Sequence, residues 1–430
     1  MYKNSSYNIK LSSIDKSSVF YYNTLTRNFF KCTNALGQKL AELLNDPDSI
    51  KNVSCSLWEK LKNGGFIVDD EIDELEIVRR KHSEEVNKKD YFLTILPTLN
   101  CNYKCWYCIQ EHIPSVMSEK TMSDIKAHIK YMIEYEKIES LRLDWFGGEP
   151  FMYFKKVILP ISLYAQAICR KSGIPFFTTT TTNGYFITHE VAKQLQEINM
   201  VNFQITLDGD KENHDKVKYT KGCESTFDYV LHNINDLLSL NSNVFVYLRI
   251  NYTHKTLSVN IVDQVNKQIE RKNRNRISIN PHKVWQENPD KSFVNEVKNI
   301  LIQFANSGYN VRWMNIQTDF TSCYVNRRFY TAINFNGNCV KCTASNDLYS
   351  ETPPGVLNSD GTITWREDYH IKTTLPTFEN DRCMACKFLP ICMGLCPREY
   401  LNGSCYCKQD VSDEDFETVL LNFLEHQYKD

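Results

Sequence analysis

The chain has 430 residues, and its 42% hydrophobic and 12% aromatic content is enough for buried cores in two or three domains. Its 50 basic and 52 acidic residues give a net charge of -2, which argues against binding to nucleic acid or an acidic membrane. No apolar run reaches the roughly 18 residues of a membrane-spanning helix, and the polar start MYKNSSYNIK lacks the apolar core of a signal peptide. We therefore expect a soluble protein of the cytoplasm.

Residues 1–90 alternate short strands and helices, which predicts a small winged-helix-like α+β module. A strand over Val19–Asn23 precedes a helix capped by Asn34, and a strand over Phe66–Val68 precedes another helix. Its charges balance at 14 basic and 14 acidic residues, so a DNA-binding wing is not expected. The charged run Arg79–Asp90 predicts a linker into the next domain, with a solvated helix end as the alternative.

From Tyr91 onward, strand-like segments alternate with helical ones, as parallel βαβ units do. This pattern predicts an α/β domain over 91–310, either an open sheet or a partial barrel. From about Ser322 the periodicity fades into a cysteine-rich extension over 311–430. The predicted strands are Phe92–Leu96, Leu141–Phe146, Phe176–Thr182, Val201–Leu207, Val244–Asn251 and Arg276–Asn280.

Sixteen cysteines set this sequence apart, and disulfides explain them poorly because the cytoplasm keeps thiols reduced. Cys32, Cys55, Cys169 and Cys223 stand alone, and we expect them to be small hydrophobic residues. The other twelve fall into two groups and are predicted to bind metal. They are Cys101, Cys105, Cys108, Cys323, Cys339, Cys342, Cys383, Cys386, Cys392, Cys396, Cys405 and Cys407.

The first group, CNYKCWYC from Cys101 to Cys108, directly follows a predicted strand. Cysteine thiolates at this spacing can surround an iron–sulfur cluster, and three ligands would leave one iron open. A zinc site with His112 as fourth ligand is the alternative. The next strand ends in Gly147-Gly148-Glu149-Pro150, where glycines let the backbone approach a ligand closely and offer acceptors to an ammonium group.

Together, CNYKCWYC and GGEP resemble the CxxxCxΦC and SAM-contacting motifs of the radical SAM superfamily, with Tyr107 as the aromatic Φ residue. The resemblance implies a partial (β/α)6 barrel that binds a 4Fe–4S cluster and S-adenosyl-L-methionine (SAM). It also implies SAM contacts by Asn183, Thr206 and Asp208, with Thr206 near the ribose. Lys218 stands where many relatives carry arginine, so a bidentate contact is not expected there.

The second cysteine group resembles the SPASM extension, which binds two further 4Fe–4S clusters and gives three clusters in total. By this resemblance, Cys323, Cys342 and Cys396 hold an inner cluster, which Cys339 completes unless it is free. Cys383, Cys386 and Cys392 hold an outer cluster with either Cys405 or Cys407. A zinc ribbon is the alternative, but only one CxxC pair fits it.

SPASM proteins mostly act on peptides, so the resemblance implies a maturase that generates a 5'-deoxyadenosyl radical and cross-links a ribosomally made precursor. The bond would be a thioether or a carbon–carbon bond, and no catalytic base is assigned. Residues 1–90 resemble modules that capture a leader peptide as an added β-strand. A flavodoxin- or ferredoxin-type electron donor is the other expected partner. The alternatives are a formylglycine-generating sulfatase maturase and a non-catalytic iron–sulfur or zinc adaptor.

Overall fold

The computed structural model describes residues 1–13, 15–287, 293–311, 323–367, 369, 377–394, 396–401, 417, 420, 421, 424 and 425. The chain forms two compact units. The first combines Met1–Lys88, Asn315–Arg328 and Ile371–Asp430, and the second combines Lys89–Met314 and Phe329–His370. None of the described helices is long and apolar enough to cross a bilayer.

The amino-terminal part of the first unit contains two small antiparallel sheets and four helices. Strands β2, β3 and β4 form one sheet in that order, and β1 pairs with β5. These elements are β1 (Tyr2–Asn4), β2 (Asn8–Ser12), β3 (Ser18–Asn23), β4 (Phe29–Thr33), α1 (Asn34–Leu43), α2 (Pro47–Val53), α3 (Cys55–Asn63), β5 (Ile67–Asp69) and α4 (Glu74–Asn87).

Two details here differ from the sequence-based expectation. The cap of α1 is Thr33 rather than Asn34, because the Thr33 hydroxyl accepts a 3.4 Å hydrogen bond from the Leu36 amide. The charged run Arg79–Asp90 is a helix end, the alternative prediction, rather than a linker, because α4 continues to Asn87. Val78 is fully buried on this helix, and Leu75 and Ile77 pack in the same apolar cluster, which holds the charged segment in the helix.

The second unit is a parallel sheet flanked by helices, which confirms the predicted α/β fold. Strands β6 to β12 lie side by side in chain order and in parallel. The strands are β6 (Asp90–Ile95), β7 (Ser140–Trp145), β8 (Phe176–Thr182), β9 (Met200–Asp208), β10 (Phe245–Tyr252), β11 (Ile277–Lys283) and β12 (Asn310–Val311). The helices are α5 (Glu119–Glu134), α6 (Leu159–Ser172), α7 (His189–Gln194), α8 (Lys211–Val217), α9 (Thr226–Leu240), α10 (Asn260–Gln268) and α11 (Phe293–Asn306).

The sheet continues beyond β6 with four strands that the sequence did not indicate. Strand β13 pairs in parallel with β6, and β14, β15 and β16 follow as an antiparallel meander. Each has only three or four residues, too short to show a hydrophobic period. They are β13 (Tyr330–Ile333), β14 (Asn338–Val340), β15 (Gly355–Leu357) and β16 (Ile363–Trp365).

The two faces of the parallel sheet differ in polarity. In β10, Val246 and Leu248 are buried in the main core with the helices, whereas Tyr247 and Arg249 point to the other face and are partly exposed. This alternation follows from the period of two in a strand. The second face is polar along its length, with Arg142, Asp144, Thr179, Thr181, Gln204 and Thr206 also on it.

The carboxyl-terminal part of the first unit contains the short helices α12 (Asp381–Met384), α13 (Leu389–Cys392) and α14 (Pro397–Leu401). It shares apolar cores with the amino-terminal strands of the same unit. The Thr24 hydroxyl also donates to the Lys387 carbonyl at 2.6 Å. Residues 1–88 therefore fold together with residues from the predicted third domain. The shared core residues are Ile9, Leu11, Phe20, Tyr22, Phe388, Ile391, Leu420 and Leu424.

Candidate active site

The cysteine loop follows the carboxyl end of β6 and has no regular secondary structure. The Cys101 sulfur accepts a 3.4 Å hydrogen bond from the Tyr103 amide, and the Cys108 amide donates to the Cys105 carbonyl at 3.0 Å. Burial raises the pKa of all three thiols, to about 12 for Cys101. Thiolates at such positions need a bound cation to stay ionised, so this donor set fits a metal cluster.

The separation between the three thiols helps to distinguish an iron–sulfur cluster from the alternative of a single zinc ion. Among the described residues, no three His, Cys, Asp or Glu side chains converge closely enough to share one metal ion. A zinc site requires such convergence around a single atom. In an iron–sulfur cluster each thiolate binds a different iron, so its ligands lie farther apart.

The Gly147-Gly148 turn packs directly on the chain that leads into Cys101. Both glycines have positive φ angles, 87° and 51°, and a Cβ atom on Gly148 would lie 2.0 Å from the Asn100 carbonyl oxygen. Only glycine fits this turn. No described residue donates a hydrogen bond to either glycine carbonyl, which leaves these oxygens available to the ammonium group predicted from the sequence.

The Glu149 carboxylate is completely buried and holds the turn in place. One oxygen accepts from the Thr182 hydroxyl at 2.7 Å, and the other accepts from the Asn183 amide at 2.8 Å. The Phe151 amide donates to the first oxygen at 3.0 Å. Burial raises the pKa of Glu149 to about 7, despite these bonds, which favour the ionised form. Both oxygens are thus used within the protein, and Glu149 positions the ends of β7 and β8. Pro150 starts the next turn and is buried as well.

Asn183 connects this turn to the cysteine loop. Its side-chain amide donates to the Asn102 side-chain oxygen at 2.8 Å. Gln110, at the far end of the loop, accepts from the Gly148 amide at 3.0 Å. The nitrogen atoms Asn102 Nδ2 and Gln110 Nε2 are buried and have no partner in the described part of the chain. Unpaired buried donors are rare and point to a missing polar ligand.

A second polar cluster lies at the ends of β9 and β10. The Tyr107 hydroxyl donates to Asp208 Oδ1 at 2.5 Å, and Asn251 Nδ2 donates to the same oxygen at 3.1 Å. Burial alone would raise the pKa of Asp208, but the charge of Lys218 and the bonds from Tyr107 and Asn251 keep it below its ordinary value. The other oxygen, Asp208 Oδ2, is buried without a described partner. It is an ionised acceptor prepared for a ligand.

Thr206 accepts hydrogen bonds from a neighbouring lysine. Lys218 Nζ donates to the Thr206 hydroxyl at 2.7 Å and to the Thr206 carbonyl at 2.8 Å. The same ammonium lies 3.5 Å from Asp208 Oδ1, and both side chains are almost fully buried. Lys218 acts as a point charge that orients Thr206 and Asp208.

These motifs lie at the carboxyl ends of adjacent parallel strands, where ligands of α/β proteins bind. The family model of the radical SAM superfamily matches residues 95–258, which span both glycine and cysteine motifs. The chain carries a radical SAM domain. A radical SAM domain implies a 4Fe–4S cluster and SAM as cofactors. The three cysteines, the free glycine carbonyls and the unpaired polar atoms fit that pair.

Curated proteins similar to the chain match it over 140 to 166 residues. Fe-coproporphyrin III synthase of Methanosarcina barkeri is 30% identical over 140 residues, which cover 32% of both chains. A cysteine-type anaerobic sulfatase-maturating enzyme of Clostridium novyi is 27% identical over 146 residues, or 32% of this chain and 37% of that protein. The chain spans between about a third and a half of the length of the curated relatives it matches.

Two solved structures share the fold over a larger part of the chain. The enzyme anSMEcpe with bound AdoMet and Cp18Cys peptide is 18% identical, covers 75% of this chain and 91% of its own, and gives a TM-score of 0.54. Streptococcus suis SuiB bound to precursor peptide SuiA is 15% identical, covers 94% and 96% of the two chains, and gives a TM-score of 0.51. At these identities the likeness concerns the fold.

The cysteines after the radical SAM domain belong to both units. Cys383 lies in α12, Cys386 follows this helix, and Cys392 is the last residue of α13. Three of the four predicted outer-cluster ligands therefore lie on one short helical segment. Cys405 and Cys407, the two candidates for the fourth ligand, lie outside the described residues. Of the predicted inner-cluster ligands, Cys323 and Cys396 belong to the first unit and Cys342 to the second.

Cys339 has the surroundings of a core residue. It is completely buried among the apolar side chains of the main core, and its thiol lies 3.5 Å from the Gly337 carbonyl oxygen. Burial raises the pKa of this thiol far above its ordinary value, and no charged group offsets the effect. Its role as an inner-cluster ligand stays a prediction, and these surroundings favour the alternative of a free cysteine.

Several residues of the site were not singled out from the sequence. Asn102, Gln110 and Asn251 contact the motif residues, and Arg249 contacts Asn251 at 2.8 Å and His282 at 3.0 Å. Burial and the charge of Arg249 lower the pKa of His282 to about 4, so His282 stays neutral. Polar residues at alternate positions of a hydrophobic strand, as in β10, were the signal available for Arg249 and Asn251.

Proposed function

We propose that this protein is a radical SAM maturase that cross-links a ribosomally made precursor peptide. The observation that carries the proposal is the folded module of residues 1–88, which accompanies a complete radical SAM site. The fold match to SuiB covers 94% of the chain, whereas the match to anSMEcpe covers 75%. The broader match supports a precursor-modifying enzyme with an additional peptide-binding module.

Capture of the leader is assigned to the β2-β3-β4 sheet. Strand β4 is at one end of this sheet, and Ile9 and Leu11 of β2 at the other end pack in the core shared with α13. A peptide that adds to an edge strand gains main-chain hydrogen bonds, and pockets for alternate side chains give it specificity. We therefore assign the leader to the β4 end.

The residues of the barrel site are assigned as follows. Cys101, Cys105 and Cys108 hold the cluster, the Gly147 and Gly148 carbonyls accept from the SAM ammonium group, and Asp208 Oδ2 accepts from a hydroxyl. When bound, the cluster and SAM supply a radical that abstracts hydrogen from carbon. Glu149 and Lys218 position these groups, and the polar face of the sheet receives the peptide backbone.

The second cysteine group would hold two further clusters, and these would accept the electron released as the cross-link closes. A flavodoxin- or ferredoxin-type protein supplies the electron that starts the reaction. The sixteen cysteines favour a reducing compartment such as the cytoplasm.

Formylglycine formation is the second candidate function, since a sulfatase-maturating enzyme is among the relatives and anSMEcpe shares the fold. The products distinguish the two. A cross-link removes two hydrogen atoms from one peptide and consumes its thiol or joins two carbons. Formylglycine formation at cysteine removes the sulfur and leaves an aldehyde that reacts with hydrazides.

The test is anaerobic reconstitution followed by reaction with dithionite, SAM and the short peptide encoded beside the gene. We expect about twelve irons per chain, 5'-deoxyadenosine, and a peptide that is lighter by two hydrogen atoms and unreactive toward hydrazide. An aldehyde product would favour the second candidate. Zinc without SAM cleavage would contradict both and favour an adaptor.

A further inference from the structure

Arg249, on the polar face of β10, has no role in the proposed reaction. Its Nε atom donates to the Asn251 side-chain oxygen at 2.8 Å, and its Nη2 atom donates to His282 Nδ1 at 3.0 Å. Both acceptors are uncharged, because the pKa of His282 is lowered to about 4. None of the described residues accepts a hydrogen bond from Nη1, and no described carboxylate forms an ion pair with this guanidinium. Since arginine stays ionised in proteins, Arg249 carries a positive charge without a direct counterion.

The other basic groups nearby already have partners. Arg142 pairs with Asp144 at 2.9 Å, and Lys218 lies 3.5 Å from Asp208 Oδ1. Asp208 also favours the ionised form of Arg249, but it lies beyond ion-pair distance. Arg249 is partly buried, and burial lowers its pKa because a charge that leaves water without a partner is destabilised. An anion beside Arg249 would offset that cost.

Asn280 provides a second donor at the same place. Its Cα atom is the register partner of Arg249 in the parallel pair of β10 and β11. Ile277 and Ile279 are buried in the main core, so Asn280, at the alternate position, is on the polar face. Its side chain is partly buried, and no described residue bonds to its amide group. A guanidinium and an amide side by side are a donor set that suits the two oxygens of a carboxylate.

The position of Arg249 separates this donor set from the groups assigned to SAM. SAM carries its ammonium and carboxylate groups on one carbon atom, and the ammonium is assigned to the Gly147 and Gly148 carbonyls after β7. Strand β10 is three strands away from β7, which is about 14 Å along the sheet. Arg249 also precedes Asn251 by two residues, so it lies about 6–7 Å further from the carboxyl end of the strand. A carboxylate from a second molecule therefore fits Arg249 better than the carboxylate of SAM.

We propose that Arg249 and Asn280 bind a carboxylate group of the precursor peptide. Arg249 Nη1 and the Asn280 side-chain nitrogen donate to its oxygens, while Asn251 and His282 hold the guanidinium plane in position. The carboxylate belongs either to an aspartate or glutamate side chain or to the carboxyl terminus of the peptide. This assignment rests on the proposed function and adds to it a requirement for a negative charge close to the residue that is modified.

Small carboxylates test the site directly, with the full-length reconstituted protein, saturating SAM, no reductant and ligand-observed NMR. N-acetyl-glutamate amide carries a side-chain carboxylate and N-acetyl-alanine a main-chain one, and the tighter of the two identifies the source. It should bind with a Kd on the order of 1 mM, about tenfold more tightly than the neutral N-acetyl-glutamine amide. Arg249→Gln should weaken this binding about tenfold and Asn280→Ala about threefold, with the Kd for SAM unchanged in both. Arg170→Gln is the matched control, because Arg170 is exposed at the end of α6.

Loss of carboxylate binding when SAM is added would show that the carboxylate of SAM takes this site, and it would overturn the assignment. Equal binding of the carboxylates and the glutamine amide by the wild-type protein would overturn it as well, and this comparison does not depend on a variant that folds. These measurements need neither a precursor nor SAM cleavage. A protein that binds the carboxylates but modifies no precursor would therefore contradict the proposed function and leave the carboxylate site intact.

Discussion

At the scale of single residues, Glu149 organises the mouth of the barrel through hydrogen bonds alone. The substitution Glu149→Gln replaces an acceptor oxygen by a donor and leaves the amide of Asn183 or Phe151 without a partner. We expect a loss of about 1–3 kcal/mol in the free energy of unfolding, since an unsatisfied buried donor costs that much. We also expect a higher KM for SAM, because the glycine turn loses its support. Urea unfolding and the dependence of 5'-deoxyadenosine formation on SAM concentration measure the two effects.

The matched control for this prediction is Glu190→Gln. Glu190 pairs with Lys155 at 2.8 Å, but both side chains are about two-thirds exposed, at 69% and 64%. Such surface pairs contribute little, so stability and KM should stay within the error of the wild-type values. Equal effects of the two substitutions would contradict the positioning role of Glu149.

His128 gives a prediction about pH at the same scale. It is completely buried on α5, where Nε2 accepts from the Tyr91 hydroxyl at 2.6 Å and Nδ1 donates to the Gly361 carbonyl at 2.6 Å. Burial lowers its pKa from 6.5 to about 4. The unfolded chain therefore binds the proton first as pH falls. The stabilisation that is present above pH 6.5 should decrease by about 3 kcal/mol on lowering the pH to 4.

The variant His128→Gln separates this histidine from every other acid-labile group. Glutamine offers a donor and an acceptor but does not titrate between pH 4 and pH 7. As the pH falls, the free energy of unfolding should decrease more for the wild type than for the variant. A difference that is constant with pH would show that His128 is not held neutral.

At the scale of elements, the proposed site gives the cysteine loop the whole protein ligation of one cluster. Replacing Cys101, Cys105 and Cys108 by alanine should abolish 5'-deoxyadenosine formation and leave about eight irons per chain. Iron analysis and chromatography of the SAM products check the two expectations. Normal SAM cleavage by this triple variant would exclude the assignment of the radical SAM cluster.

Cys339 and Cys342, which the sequence assigned to the same inner cluster, have different surroundings in and after strand β14. Cys339 is in the apolar core, whereas Cys342 follows the strand and is 7% exposed. We expect Cys339→Ala to keep about twelve irons and Cys342→Ala to lose about four. Loss of four irons from the Cys339 variant would instead make it the fourth ligand of the inner cluster.

The success of the sequence-based predictions differs from element to element for physical reasons. The strands β6 to β11 each have six or more residues, long enough to show an alternating or β-branched pattern, and all six were predicted within a few residues. For Arg79–Asp90 the alternative of a helix end is correct and the linker is wrong, because Leu75, Ile77 and Val78 hold α4 against an apolar cluster. Tyr107 and Asn251 reach Asp208 from positions 101 and 43 residues away in the chain, and such contacts have no local signal in the sequence.

At the scale of the whole molecule, the first unit depends on both ends of the chain. A chain that begins at Lys89 would expose Phe388 and Ile391, which pack on Ile9 and Phe20 in the full-length protein. We expect this truncated chain to lose outer-cluster iron or to aggregate, because the unpaired apolar surface is large and contiguous. Iron analysis and light scattering of the truncated protein measure these outcomes. A soluble, fully loaded truncation would show that residues 1–88 are dispensable for the cysteine segment.

The core that joins Ile9 to Leu424 also fixes an order of events during biosynthesis. At ribosomal rates of about 5–20 residues per second, Leu424 is added roughly 20–80 seconds after Ile9. The strands β2 and β3 leave the ribosome long before their apolar partners exist, whereas the radical SAM domain over 95–258 is contiguous and its strands pair in chain order. During translation the nascent amino-terminal strands therefore lack these apolar partners of Phe20 and Tyr22, and we expect chaperones to bind them. The proposed outer cluster, whose ligands begin at Cys383, would be inserted only after most of the chain has been made.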